Sequence, residues 1–179
     1  SKKMYVTGGV GVQHHGEGFA RAYYLPNYDA YCETCASIGM VFWNHRLALL
    51  HGDAKYADLV ERLLYNGAIS GISLDGSKFF YVNPLRNVKP LPVKLRWSRT
   101  RVPYTTAFCC PPNVARMLAE VGSYAYARSA RTIWVNLYGG STLSTTLDDG
   151  SPVRLTLVTE YPWSGRVRLT IDECRSAPF

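Results

Sequence analysis

Residues 33–67 read ETCASIGMVFWNHRLALLHGDAKYADLVERLLYNG, and their pattern sets the fold class. From Glu33 to about His51, the residues Cys35, Ile38, Phe42, Leu47, Leu49 and Leu50 suit a largely buried helix that Gly52 stops. A second helix follows at once. Asp53 stands where an N-cap is needed, and Tyr56, Leu59, Val60, Leu63 and Leu64 recur at i, i+3, i+4, i+7 and i+8 up to Asn66-Gly67.

Working outward, Cys109-Cys110-Pro111-Pro112 precedes a third expected helix, from about Asn113 to Tyr126, with Val114, Met117, Leu118 and Val121 on one face. Between these helices, Asp75-Gly76 has the turn chemistry of a β-hairpin, with Phe79-Phe80-Tyr81-Val82 as its return strand. Residues 1–31 show neither period and read as loop. Beyond Ser129 the period switches to two. Ile133, Val135 and Leu137, then Val153, Leu155 and Leu157, then Val167, Leu169 and Ile171 alternate with polar residues, with turns at Asp149-Gly150 and Ser164-Gly165. The chain is therefore expected to be mainly α with β, with a boundary near residue 130 and an antiparallel sandwich opening after it.

The 179 residues are 47% hydrophobic and 18% charged, which excludes a disordered or collagen-like chain. Apolar runs such as Ile38–Trp43 fall far short of the ~20 residues that cross a bilayer, so no membrane span is expected. The first residues, Ser-Lys-Lys-Met-Tyr-Val-Thr-Gly-Gly, lack the apolar core of a secretory signal, which gives a cytoplasmic expectation. The net charge of +7 is concentrated between residues 78 and 116, where eight Lys and Arg occur without one acidic residue. Phe79, Phe80, Tyr81, Trp97 and Tyr104 are interleaved there, as in a single-strand groove, but no nucleic-acid-binding motif accompanies them, and loop charges are the preferred reading.

Five cysteines, two of them adjacent, make a poor disulfide framework and fit a reduced or metal-bound state better. Glu33-Thr34-Cys35 opens one helix and Cys109-Cys110 precedes another, so four ligand groups can converge once the helices pack together. The bland alternative is that the thiols are small buried hydrophobes. At a helix N-terminus the thiols of Cys109 and Cys110 are expected to ionise readily, as metal ligands or as a nucleophile. Glu17, in Gly16-Glu17-Gly18, is a candidate acid/base, beside the commoner reading of an exposed loop glutamate. His14 and His15 are read as loop residues rather than ligands, Cys174 as structural, and Cys32 as either packed or competing for metal.

Seven segments occur in order: Thr7-Gly-Gly-Val-Gly11, Gly16-Glu-Gly-Phe19, Glu33-Thr-Cys-Ala-Ser37, Tyr65-Asn-Gly67, Ser70-Gly-Ile-Ser-Leu-Asp-Gly76, Phe80-Tyr-Val-Asn-Pro84 and Cys109-Cys-Pro-Pro-Asn113. From about residue 5 to 140 the chain resembles glycoside hydrolase family 127, the β-L-arabinofuranosidase family. The resemblance implies a zinc-dependent retaining glycosidase with an (α/α)6 barrel and appended β-sandwich domains. It assigns Zn2+ to Glu33, Cys35, Cys109 and Cys110, the nucleophile to Cys109, the acid/base to Glu17, and a place near the sugar to Tyr81.

Such a barrel needs several hundred residues. Residues 1–129 are therefore expected to be its C-terminal part and 130–179 the start of the sandwich, with a carbohydrate as substrate and an upstream barrel segment as partner. Two readings stay open: a segment of an arabinofuranosidase-like hydrolase, or a non-catalytic zinc-stabilised relative acting as a structural or glycan-binding module.

Overall fold

The structure, a computed structural model, describes residues 2–90 and 94–175. The chain forms two compact units, Ser1–Ala119 and Glu120–Phe179. Among the described residues no helix is long and apolar enough to cross a membrane.

In the first unit, α1 spans Thr34–His51 and α2 spans Ala54–Leu63. Gly52 ends α1 at φ 63°, with its N–H on the Ala48 carbonyl, and the Asp53 carboxylate caps α2 by accepting the Lys55 N–H at 3.0 Å. Both punctuation residues act where the sequence places them. The expectation that α1 is largely buried is corrected. It buries one stripe, Thr34, Ser37, Ile38, Val41 and Asn44, against α2 and the turn after it, while Trp43, Leu49 and Leu50 are exposed. Those five positions follow the three- and four-residue spacing of a single helical face.

α2 also ends early. After Leu63, residues Leu64–Ala68 form a π turn and Ile69–Gly71 a 3-10 turn, where the period predicted continued α-helix to Gly67. The turn packs tightly on α1, where a Cβ on Gly67 would lie 2.7 Å from both Cβ and Oγ of Ser37. Only glycine lets the widened turn rest on the first turn of α1, next to Thr34-Cys35. Gly67→Ala is accordingly expected to cost about 1–3 kcal/mol, since the clash falls on a Cβ that the backbone holds. The check is the urea unfolding midpoint, which should fall with the slope unchanged.

Helix α3 spans Cys110–Glu120, three residues ahead of the expected start. The Asn113 N–H reaches the Cys109 carbonyl at 3.3 Å, so Cys109 itself is the capping residue. Pro111 and Pro112 then occupy the first turn, where an N–H has no helical partner to lose. Val114 and Met117 are the buried face of α3, each contributing about 1.5–3 kcal/mol by leaving water.

The hairpin expected at Asp75-Gly76 is reduced to a turn. Ser73 N–H bonds the Lys78 carbonyl at 2.8 Å, but pairing stops at the single bridge Ile72↔Phe79. The next residues are drawn elsewhere. Thr34 N–H takes the Tyr81 carbonyl at 3.0 Å, the Thr34 hydroxyl takes the Phe80 carbonyl at 3.1 Å, and Glu33 bridges Val82. Residues 80–83 thus lie along residues 31–34 and bring Tyr81 to the start of α1.

In the second unit a one-turn helix α4, Gly122–Ala125, leads into β1, Tyr126–Arg128, where the periodicity had continued a helix to Tyr126. β1 pairs antiparallel with β2, Ile133–Val135. A second antiparallel sheet has the order β3-β4-β5, formed by Ser141–Thr146, Pro152–Thr159 and Val167–Cys174. Asp149-Gly150 makes the turn between β3 and β4, with Gly150 at φ 83° and the Asp149 carboxylate accepting the Ser151 N–H at 2.8 Å. Val153, Leu155 and Leu157 of β4 are buried as their alternation requires, whereas their β5 counterparts Leu169 and Ile171 are exposed. Cys174 packs with Leu143 and Ile133 against the core of Leu147, Val153 and Leu155, in keeping with a structural part.

Candidate functional site

Two helix starts build the cluster. Glu33 is the N-cap of α1, but its side chain makes no capping bond and is left to face the thiols. Cys35 follows in the first turn of α1, while Cys109 and Cys110 open α3. One ligand atom from each of Glu33, Cys35, Cys109 and Cys110 lies within 4.8 Å of all the others. Cys35 Sγ is 3.5 Å from Cys110 Sγ, Cys110 Sγ is 3.9 Å from Cys109 Sγ, and Cys109 Sγ is 3.8 Å from Glu33 Oε1. Three sulfurs and a carboxylate this close are a soft donor set that could hold a metal ion.

Exposure differs sharply within the four. Glu33 and Cys110 are buried, Cys35 is half-buried, and Cys109 is exposed. Burial raises the Glu33 carboxyl to about 7 against the opposing hydrogen bond of the Tyr81 hydroxyl. Cys35 is lowered to about 6, first by its hydrogen bond with Cys110 and then by Asn113, with burial working the other way. Cys110 is driven above the ordinary thiol range by the same contact with Cys35 and by burial, and desolvation also raises Cys109. Of the three thiols Cys35 alone is lowered. The directions at Cys109 and Cys110 run against the expectation of ready ionisation, because burial and crowding with Cys35 oppose it.

Tyr81 is buried, and its hydroxyl oxygen is 3.6 Å from Cys109 Sγ. Its ring stacks on Trp97 at 4.4 Å between centroids and meets the Tyr31 ring edge-on at 6.2 Å. Tyr31, 1% exposed, donates its hydroxyl proton to Glu17 Oε1 at 2.8 Å while the Trp97 indole N–H donates to the Tyr31 oxygen at 3.1 Å. Arg96 Nη1 stands 3.4 Å from the same Oε1, and its guanidinium lies over the Trp97 ring at 4.8 Å.

Glu17 itself is exposed. The Gly18 carbonyl closes its loop by accepting the N–H groups of Val12 and Gln13, and Glu17 sits at φ 53°, an uncommon conformation for a residue other than glycine. The cluster and Glu17 are thus joined by one aromatic wall of Tyr81, Trp97 and Tyr31.

Other residues fall where the chemistry does not need them. Cys32 is buried among Tyr5, Val12 and Ala30, with its thiol pushed up to about 12 by burial, and it stands outside the ligand group. His14 pairs with Asp29 through Nε2 at 3.4 Å and its ring meets Tyr31 edge-on, while His15 is exposed. In the basic stretch, Arg99 and Arg101 donate to the carbonyls of Val88 and Ser70. Tyr31, Trp97, Arg96 and Asn113 were missed as site residues. Tyr31 stands two positions before Glu33 and Asn113 ends the Cys-Cys-Pro-Pro-Asn segment, so proximity to the motifs was the available signal.

Residues 1–123 match the family model described as beta-L-arabinofuranosidase, GH127 catalytic domain, and residues 132–179 match the GH127 middle domain. The chain belongs to glycoside hydrolase family 127. It is similar to the protein named non-reducing end beta-L-arabinofuranosidase of Bifidobacterium longum subsp. longum, at 35% identity over 182 residues, covering 99% of this chain and 27% of that one. A solved GH127 beta-L-arabinofuranosidase from Geobacillus stearothermophilus T6 aligns with a TM-score of 0.90 at 47% identity, over 98% of this chain and 28% of that one. A second solved structure, described as a GH127 beta-arabinofuranosidase, aligns at TM-score 0.85 and 49% identity, over 96% of this chain and 26% of that one. The chain thus spans roughly a quarter of the length of these relatives.

Proposed function

We propose that this chain carries the reacting groups of a zinc-dependent retaining glycosidase for arabinofuranosides, with Cys109 as nucleophile and Glu17 as acid/base. The observation that carries the reading is the exposure pattern: of the four clustered groups Cys109 alone is exposed, and buried Tyr81 and Tyr31 connect it to Glu17, which is also exposed. A purely structural zinc site has no need of an open ligand or of a supported carboxylate beside it. Residues 1–129 are read as part of a helical (α/α)6 barrel and 130–179 as the start of a β-sandwich, a division supported by the two family matches.

The donor set fits zinc. Tetrahedral coordination with Zn–S near 2.3 Å sets neighbouring sulfurs about 3.8 Å apart, close to the 3.5 and 3.9 Å found here. Glu33, Cys35, Cys109 and Cys110 would hold the ion. Bound there, zinc supplies positive charge that keeps the Cys109 sulfur ionised at neutral pH.

The chain's own groups then divide the reaction. Cys109 Sγ forms a bond to the anomeric carbon as the bond to the leaving oxygen breaks, and Glu17 gives that oxygen its proton. In the second half Glu17 takes a proton from water, the water oxygen bonds the anomeric carbon, and Cys109 departs as thiolate, so two inversions give net retention. Tyr31 and Arg96 both engage Oε1 of Glu17, which leaves Oε2 to carry the moving proton. Tyr81, with its hydroxyl 3.6 Å from Cys109 Sγ, is read as the residue beside the sugar.

The test joins this chain to the remaining length found in its relatives, then measures bound metal and follows an aryl β-L-arabinofuranoside by NMR. One zinc per chain and a first-formed sugar of retained configuration are expected. Inverted product, or full activity after the metal is stripped, would overturn the reading.

A further inference from the structure

The Asn113 side chain donates an N–H to Cys35 Sγ at 3.1 Å, and no part in the chemistry above is given to it. Which end of the amide faces the sulfur is settled by its other neighbour. Arg116 Nη2 approaches Oδ1 at 2.7 Å, and a guanidinium has donors only, so the oxygen must face arginine and the NH2 group must face Cys35. Arg116 is in turn fixed by its guanidinium lying over the Phe42 ring at 5.1 Å. Cys35 and Phe42 are two turns apart on one face of α1, and Asn113 and Arg116 one turn apart on α3. The four residues thus tie the two helix starts that supply the cluster.

We propose that Asn113 is a positioning residue for the metal centre: it aims and polarises the Cys35 sulfur, and Arg116 locks the amide so that it can only donate. The inference rests on the metal-centre reading above. A hydrogen bond to a bound thiolate draws charge from the sulfur and restricts its rotation, the part that outer hydrogen bonds play for metal ligands generally. An apolar residue of similar size at 113 would leave the packing of α3 and remove both effects. A carboxylate there would set a second negative charge against the thiolate while Arg116 still holds it.

The experiment joins this chain to the remaining length found in its relatives and titrates Co2+ into the unsubstituted protein and into Asn113→Leu, Asn113→Asp and Arg116→Met, reading the sulfur-to-cobalt charge-transfer band, with circular dichroism on each protein. Asn113→Leu is expected to weaken Co2+ binding by roughly 10- to 100-fold and to move the band, because outer-shell partners of metal ligands carry effects of that size. Asn113→Asp should lose at least as much, and Arg116→Met less, in the same direction. Lower affinity with the band in place would be a contribution through helix packing alone and overturns the proposal. Should Asn113→Leu fail to fold, Arg116→Met decides through the band: Arg116 is exposed, and its removal frees the amide to turn as well as giving up the contact with Phe42, but only the turned amide shifts the sulfur-to-cobalt band. Binding and band unchanged in the folded variants overturn the proposal. Absence of any Co2+ binding by the folded unsubstituted protein overturns the metal centre itself, and the inference with it.

Discussion

Cys109→Ala, in a polypeptide that supplies the rest of the relatives' length, is expected to lower turnover of an aryl arabinofuranoside by at least about a thousandfold, the scale on which a covalent nucleophile contributes. Loss of rate alone does not separate nucleophile from ligand, because Cys109 stands in both sets. Covalent chemistry does. A slow substrate quenched in acid should leave one pentosyl unit on the peptide that contains Cys109, found by mass spectrometry, and none on those of Cys35 or Cys32. The geometry predicts this ranking. Cys109 is the exposed thiol, Cys35 is half-buried, and Cys32 is enclosed by apolar side chains. Iodoacetamide should follow the same order, with an arabinofuranose-like ligand protecting Cys109. If the adduct appears on another residue, Cys109 is not the nucleophile; if no adduct forms and labelling is indifferent to the sugar, the non-catalytic zinc reading takes its place.

Much of the site could be read before any coordinates, and the reason is physical. Thiolate and carboxylate ligands are few and chemically distinct, so Glu-x-Cys and Cys-Cys near two helix starts limit what can converge, and the four do lie within 4.8 Å of each other. What escaped notice was set by packing. At the π turn that ends α2, Ser37 leaves room only for glycine at 67, a relation between residues thirty apart that no periodicity carries. The strand Ser141–Thr146 has one apolar residue and was invisible to an apolar alternation. Tyr31 and Trp97 look like ordinary core aromatics until their hydrogen bonds are traced to Glu17. The lowering of the Cys35 thiol comes first from Cys110 and then from Asn113, both side chains of the other helix, which no spacing along the chain reveals.

Glu17→Gln is the second large effect expected. With a leaving group that needs protonation, loss of the acid should cost about 100- to 10,000-fold in kcat/KM. With an activated aryl leaving group the first step should be nearly spared and the second should stall, because water still needs a base. The sugar then accumulates on Cys109, and a burst precedes slow turnover. Azide, which attacks without surrendering a proton, should restore the rate and give an arabinosyl azide of retained configuration. Tyr31→Phe offers a graded counterpart. It keeps the ring that packs on Tyr81 and removes only the hydroxyl that holds Oε1, so a fall of about tenfold is expected, as for one hydrogen bond to a charged group, with no azide rescue because the carboxylate remains. A Glu17→Gln enzyme that hydrolyses both kinds of substrate at the original rate would remove Glu17 from the reaction and reduce its contact with Tyr31 to a loop anchor, whereas dependence of the defect on leaving-group basicity places the carboxyl at the departing oxygen.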